Sequence, residues 1–221
     1  MNVIEVKNMS KNFKNKKLFN DFSLEIEENT VHALVGPNGS GKTSLLRILT
    51  GLYKEDGGQV KIKGSHAMLL ENDYLYEDKT GLENIKLYGL YFGYGLDSYQ
   101  KYSDLLEITN DLGRNVSTYS KGMKRKLSLL IIVMMNREII FLDEVTSGVD
   151  PISRVEIRKL LDKNAALMSL MALNYKPLWI QLAKKRIKEN RCNSHGGTNN
   201  KCYSTNGQGS VSYTHLTLPT T

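Results

Sequence analysis

Eight residues near the start of the chain carry the strongest chemical signal: Gly36-Pro37-Asn38-Gly39-Ser40-Gly41-Lys42-Thr43. The spacing is G-x-x-x-x-G-K-[ST], a loop suited to holding phosphate groups. Glycine lets the backbone close around an anion with no Cβ in the way. The loop amides and the start of a following helix supply positive potential. Lys42 adds a full charge for the β- and γ-phosphates of a nucleotide such as ATP, and the Thr43 hydroxyl can ligate Mg2+. Ser44 follows in the same first turn and joins the candidate nucleotide contacts. A second group, Glu138-Ile-Ile-Phe-Leu142-Asp143-Glu144, is an apolar run ending in two carboxylates. On a parallel strand those carboxylates fall at the C-terminal edge of the sheet, where ligands bind in open α/β folds. Asp143 suits the Mg2+ shell, and Glu144 suits orienting and deprotonating an attacking water. A third group, Tyr119-Ser120-Lys121-Gly122-Met123-Lys124-Arg125-Lys126, starts a basic helix. Taken alone, Ser120 there is an ordinary N-cap and Lys124–Lys126 a solvated helix face.

These residues need elements to position them. Val31–Val35 reads as a buried parallel strand running into the glycine loop, and about Lys42 to Leu49 as the helix leaving it. Val3–Lys7 and Phe22–Glu27 alternate roughly, as half-buried strands do, and Gln59–Lys63 follows a Gly57-Gly58 turn as another strand. About Thr80 to Thr109 looks helical, with a Gly/Tyr-rich break near Gly93–Gly95. Lys121–Met135 is a strong helix, Glu138–Leu142 a strand, and Pro151–Leu161 a helix with proline in its first turn. His32 and His66 fall in or near strands and read as structural.

The formal net charge of +7 could suggest nucleic acid, but its distribution argues against that partner. Residues 1–161 hold 22 Lys/Arg against 21 Asp/Glu, whereas residues 162–221 hold 8 against 2. No run approaches the roughly 20 apolar residues of a membrane span, and the N-terminus reads as free of a signal peptide. Cys192 and Cys202, ten residues apart, make no disulfide framework.

With Asp143 101 positions after Lys42, and Met123 twenty before Asp143, the three groups make residues 1–161 resemble the ATP-binding domains of ABC transporters. The form of the 119–126 segment is that of ABC-2 exporter ATPases. The resemblance implies an α/β P-loop NTPase core with a mostly parallel sheet, an N-terminal antiparallel β portion and a helical insert at about 80–135. It implies that Ser120, Lys121, Gly122 and Met123 reach the γ-phosphate of an ATP held by a second ATPase subunit. Ser147-Gly148-Val149-Asp150 looks like the D-loop that meets that partner, and Phe13 falls where an aromatic ring stacks on adenine. Glu71 stands where a loop glutamine is usual and is a further candidate Mg2+ contact; glutamate there points to peptide-antibiotic export or immunity. Val145 replaces the usual proline after the glutamate. The implied function is ATP hydrolysis driving export through a separate membrane subunit, at the cytoplasmic face of a bacterial membrane. A soluble non-transport ABC ATPase, or a nucleotide-binding module without turnover, is the alternative.

The resemblance stops near residue 161. The family has a histidine about thirty residues after the glutamate, yet Ala172–Pro177 contains none, and His195 reads as a bystander. Ala165–Leu173 could supply the missing central strand, but its composition favours helix. From about residue 190 the polar composition predicts disorder. Val211–Thr221 back-translates to a run resembling a sequencing adapter, so residues 162–221 are expected to be an artefact or frameshifted rather than native family sequence.

Overall fold

In a computed structural model of the chain, residues 1–13, 16–28, 30–70, 72–145, 149–163, 168–174, 202–203 and 212–217 are described. Two units are distinguished, one of residues 1–64 and 168–221, the other of residues 65–167.

In the first unit, β1 (Asn2–Phe13) pairs antiparallel with β2 (Lys16–Glu27) on one side and β4 (Gly57–Ile62) on the other. Alternation decides the buried face: Ile4, Val6, Leu24 and Ile26 are buried, and Ile4 and Val6 sit opposite Ile26 and Leu24 in the register. Both strands run further than their alternation predicts, because bulges interrupt the period. Asn8 and Asp21 take left-handed φ values of 49° and 54°, and Asn8 Nδ2 donates to Asp21 Oδ1 at 2.5 Å across the hairpin. Each such irregularity shifts the facing of every later side chain.

β3 (Thr30–Gly36) belongs to a second sheet of this unit. It runs parallel to β7 (Met168–Asn174), Val31 opposite Ser169 through Gly36 opposite Asn174. On its other edge it runs parallel to β9 (Ser212–Thr217), which pairs antiparallel with β8 (Cys202–Tyr203). Residues 168–174 are thus a strand despite their helical propensity; propensity is a weak preference that pairing with a buried neighbour overrides. Two short strands also stand in the stretch for which composition predicts disorder, and the remaining residues from 190 onward lie outside the described residues. Helix α1 (Lys42–Leu49) follows β3 and buries Leu45, Leu46, Ile48 and Leu49.

In the second unit, β5 (His66–Leu69) runs parallel to β6 (Ile139–Asp143), all of whose residues are buried. Helix α2 (Gly81–Phe92) starts in a capping box: Thr80 Oγ1 accepts from the Glu83 amide, and Glu83 Oε2 accepts from the Thr80 amide at 2.7 Å. It ends at Gly93 in the left-handed region, inside the break read from the sequence. Buried Asn84 ties the preceding loop down, accepting from the Tyr76 amide and donating to the Tyr76 and Thr80 carbonyls. Helices α3 (Tyr99–Leu105), α4 (Lys121–Met134) and α5 (Pro151–Lys163) complete the unit, so the helical insert expected at about 80–135 comprises α2 to α4. Among the described residues, no helix is long and apolar enough to cross a membrane.

Candidate functional site

The phosphate loop leaves β3 at Gly36 and enters α1 at Lys42, as the motif requires. Gly39 and Gly41 take φ values of 79° and 98°, which L side chains rarely adopt. Placing such residues between right-handed ones turns successive amides towards a common side, the geometry of an anion nest. The Ser40 amide closes a turn on the Pro37 carbonyl at 3.2 Å, and the first α1 hydrogen bond runs from the Leu45 amide to Gly41 at 2.8 Å. The N-cap, Gly41, contributes no side-chain bond, and the amides of Lys42, Thr43 and Ser44 belong to the first turn, which has no intrahelical acceptor.

Lys42 is buried and its ammonium donates to the Gly36 and Pro37 carbonyls at 2.8 and 3.0 Å, so its charge is fixed at the loop. Pro37, Asn38 and Gly39 are exposed, Thr43 and Ser44 half-buried. The Ser40 hydroxyl is buried with no hydrogen-bond partner among the described residues. A buried orphan donor costs about 1–3 kcal/mol, and a phosphate oxygen at the nest would answer it. The loop therefore fits a nucleotide's phosphates. Phe13 ends β1 at 39% exposure, with Tyr53 at 5.5 Å in an edge-on arrangement and the Lys11 ammonium over its ring at 5.4 Å.

In the other unit, β6 delivers Asp143 and Glu144. Asp143 is buried at the strand end and Glu144 is half-buried. Mg2+ takes oxygen donors such as hydroxyls, carboxylates and phosphate oxygens; the Thr43 hydroxyl in the first unit and the Asp143 carboxylate in the second are each, taken separately, groups of that kind. Glu144 has φ 47°, a left-handed conformation that costs a non-glycine residue about 1–3 kcal/mol. The sequence motif gave no sign of what holds it there. Arg125, plainly read as part of a solvated basic face, is in fact 3% exposed and donates to the Asp143 and Val145 carbonyls at 2.7 and 3.2 Å. Lys126 is buried as well and pairs with buried Glu156 of α5. A fully desolvated cation at either position needs such partners, which the sequence pattern does not disclose.

The start of α4 is built tightly. Tyr119 donates its hydroxyl to the Asp111 carbonyl at 2.6 Å, and burial pushes that hydroxyl up to about 12, keeping it a donor. Ser120 is the N-cap, its hydroxyl accepting from the Met123 amide at 3.2 Å. Ser120 and Lys121 are exposed and Met123 half-buried, while Gly122 is buried against α5. A Cβ on Gly122 would stand 2.8 Å from Asp150 Oδ2 and 3.0 Å from Ser153 Oγ. Asp150 caps α5, accepting from the Ser153 amide at 2.9 Å; that amide, then the Ser153 hydroxyl, holds its carboxyl below the usual range. Of the candidate residues, Glu71, Ser147 and Gly148 lie outside the described residues.

Known proteins are similar to this chain. The family model described as ABC transporter matches residues 19–147. The chain is 35% identical over 165 residues to the daunorubicin resistance ATP-binding protein DrrA2 of Streptomyces coeruleorubidus, covering 67% of this chain and 51% of that protein. It is 32% identical to YhcH of Bacillus subtilis, an uncharacterized ABC transporter ATP-binding protein (73% of this chain, 57% of the relative). It is 27% identical to the lantibiotic transport ATP-binding protein SrtF of Streptococcus pyogenes (72% and 74%). A solved ATP-binding subunit of an ABC transporter superposes with a TM-score of 0.68 at 22% identity, over 77% of this chain and 79% of that one. The chain belongs to the ABC transporter ATP-binding family and has the P-loop NTPase fold of those domains. It spans between about half and three fifths of the length of most of the curated relatives it matches.

Proposed function

We propose that the chain binds Mg-ATP through Gly36–Ser44 and hydrolyses it with Glu144, as the ATPase subunit of an exporter. The observation that carries this reading is the loop itself: two left-handed glycines, a buried Lys42 ammonium and a buried orphan hydroxyl at one helix start. Lys42 and the first-turn amides bind and orient the phosphates, with Phe13 against the base. Thr43, Asp143 and Glu71 are the residues that would hold Mg2+, and the ion would supply charge neutralisation on the phosphate oxygens. Glu144 orients a water and takes its proton. Ser120, Lys121, Gly122 and Met123 serve the ATP of a second copy or a paired ATPase subunit, with Ser147, Gly148 and Asp150 at the same junction.

DrrA2 and SrtF carry names of drug resistance and lantibiotic transport, and they support export of a bulky antibiotic-like substrate. Tyr74, Leu90, Tyr91 and Phe92 are exposed in the second unit, a quantity of apolar surface that suits a protein partner, here the membrane subunit. The place of action is then the cytoplasmic face of a bacterial membrane. Residues 162–221 are read as foreign to the native family sequence.

Mg-ATP turnover by the purified chain, measured beside Glu144→Gln, tests the reading. Losing a general base costs about 10²–10⁴-fold in rate, so Glu144→Gln should lose turnover on that scale while ATP affinity stays within about threefold. Equal turnover in the two proteins would refute it.

A further inference from the structure

Among the described residues, one buried cation reaches three backbone carbonyls on two separate segments of the second unit. Arg125 lies one turn into α4 at 3% exposure. Its NH2 donates to the Asp143 carbonyl at 2.7 Å and its Nε to the Val145 carbonyl at 3.2 Å, the residues on either side of Glu144. Its NH1 donates to the Leu70 carbonyl at 2.5 Å, immediately before Glu71, and pairs with Asp73 Oδ1 at 3.2 Å. Glu144 between the two gripped carbonyls has φ 47°.

We propose that Arg125 is a positioning residue for Glu144: its guanidinium fork fixes the strained backbone that aims the carboxylate, and couples it to the segment ahead of Glu71. This rests on Glu144 being the hydrolytic base. The physical argument is geometric. A left-handed glutamate persists only where its surroundings over-determine it, and the carbonyls of residues 143 and 145 are the backbone handles that flank its own dihedrals. Guanidinium offers five N–H donors in a rigid plane, so one side chain can hold four acceptors at set angles. Lysine carries the same charge on three donors around one atom and cannot span both segments. The same fork gives α4, whose first turn carries Ser120 and Gly122, a mechanical link to the base. A shift of α4 is therefore felt at Glu144 without any contact between Ser120 and the carboxylate.

The test compares wild type, Arg125→Lys, Glu144→Gln and the double variant, in the full chain, for Mg-ATP turnover, KM, affinity for a fluorescent ATP analogue, and melting temperature. Arg125→Lys is expected to lower kcat at least about tenfold, with KM and analogue affinity within about twofold of wild type. On the Glu144→Gln background it should cost no further activity, because residues acting as one unit are non-additive. Unchanged kcat in Arg125→Lys overturns the proposal, as does an equal further loss on the Glu144→Gln background, which marks a general structural role. If Arg125→Lys does not fold, Arg125→Gln, which keeps two N–H donors, replaces it; failure of both to fold makes Arg125 a folding residue and also overturns the proposal. Wild-type turnover insensitive to Glu144→Gln refutes the hydrolytic reading first, and the role of Arg125 with it.

Discussion

Gly122→Ala sets two effects of similar size against each other. In an exposed helix, alanine for glycine gains up to about 1 kcal/mol of propensity. Gly122 is buried in the first turn of α4, and the added Cβ would stand 2.8 Å from Asp150 Oδ2 and 3.0 Å from Ser153 Oγ. Neither atom can retreat freely. The Asp150 carboxylate is tied to the Ser153 amide at 2.9 Å, and the Asp150 carbonyl accepts from Arg154 at 3.1 Å as the α5 cap. Overpacking a tight site costs about 1–3 kcal/mol, so the clash wins and the net loss is about 1–2 kcal/mol. At about 2–4 °C per kcal/mol for a chain of this size, the melting temperature should fall by about 2–8 °C. Gly113→Ala is the matched control, since nothing lies within 4 Å of a Cβ built there. Thermal melts followed by circular dichroism decide it. A Gly122→Ala protein as stable as wild type, or more so, would show that α4 and α5 do not meet at this glycine.

Gly41→Ala combines backbone strain at φ 98° with a Cβ 3.0 Å from Leu18 Cδ1 and Phe19 Cζ. Strain of about 1–3 kcal/mol and crowding of similar size predict a loss of about 2–4 kcal/mol, with weakened ATP affinity; an unchanged urea midpoint would contradict it. Burial lowers the pKa of His32, only partly opposed by Glu27. The folded imidazole therefore stays neutral where the unfolded one, near 6.5, takes up a proton. Stability should drop as pH falls from about 6.5 towards the lower folded value, and His32→Gln should flatten that part of a stability–pH curve. A slope unaltered by the substitution would place the dependence elsewhere.

The chemistry was legible where a motif and a period agreed. Helix α1 spans Lys42–Leu49 as read, because a phosphate loop dictates a strand before it and a helix after it. Helix α4 and strand β6 fall within a residue of their reading, since their apolar runs are bounded by the Ser120 cap and by the paired carboxylates. The β1–β2 hairpin was under-read at both strands because left-handed Asn8 and Asp21 break the alternation that signals a strand. For strand β7 position and propensity disagree, the place in the sheet asking for a strand and the composition favouring helix, and its neighbours rather than its residues decide its conformation. Arg125 was invisible for a different reason. A basic triplet on a helix looks solvated, and only the carbonyls it meets, 18 to 55 positions away, reveal a buried purpose.

Helix α4 has a consequence for motion. From Arg125 to Met134 every residue is buried, so that stretch of the helix has no wet face. Its neighbours α2, α3, α5 and β5 surround it within the second unit. Amide hydrogens along such a helix exchange only when the surrounding layer opens, which places α4 in the slowest-exchanging class. The exposed Ser120 cap is thus the tip of a rod gripped along its length by α2, α3, α5 and β5.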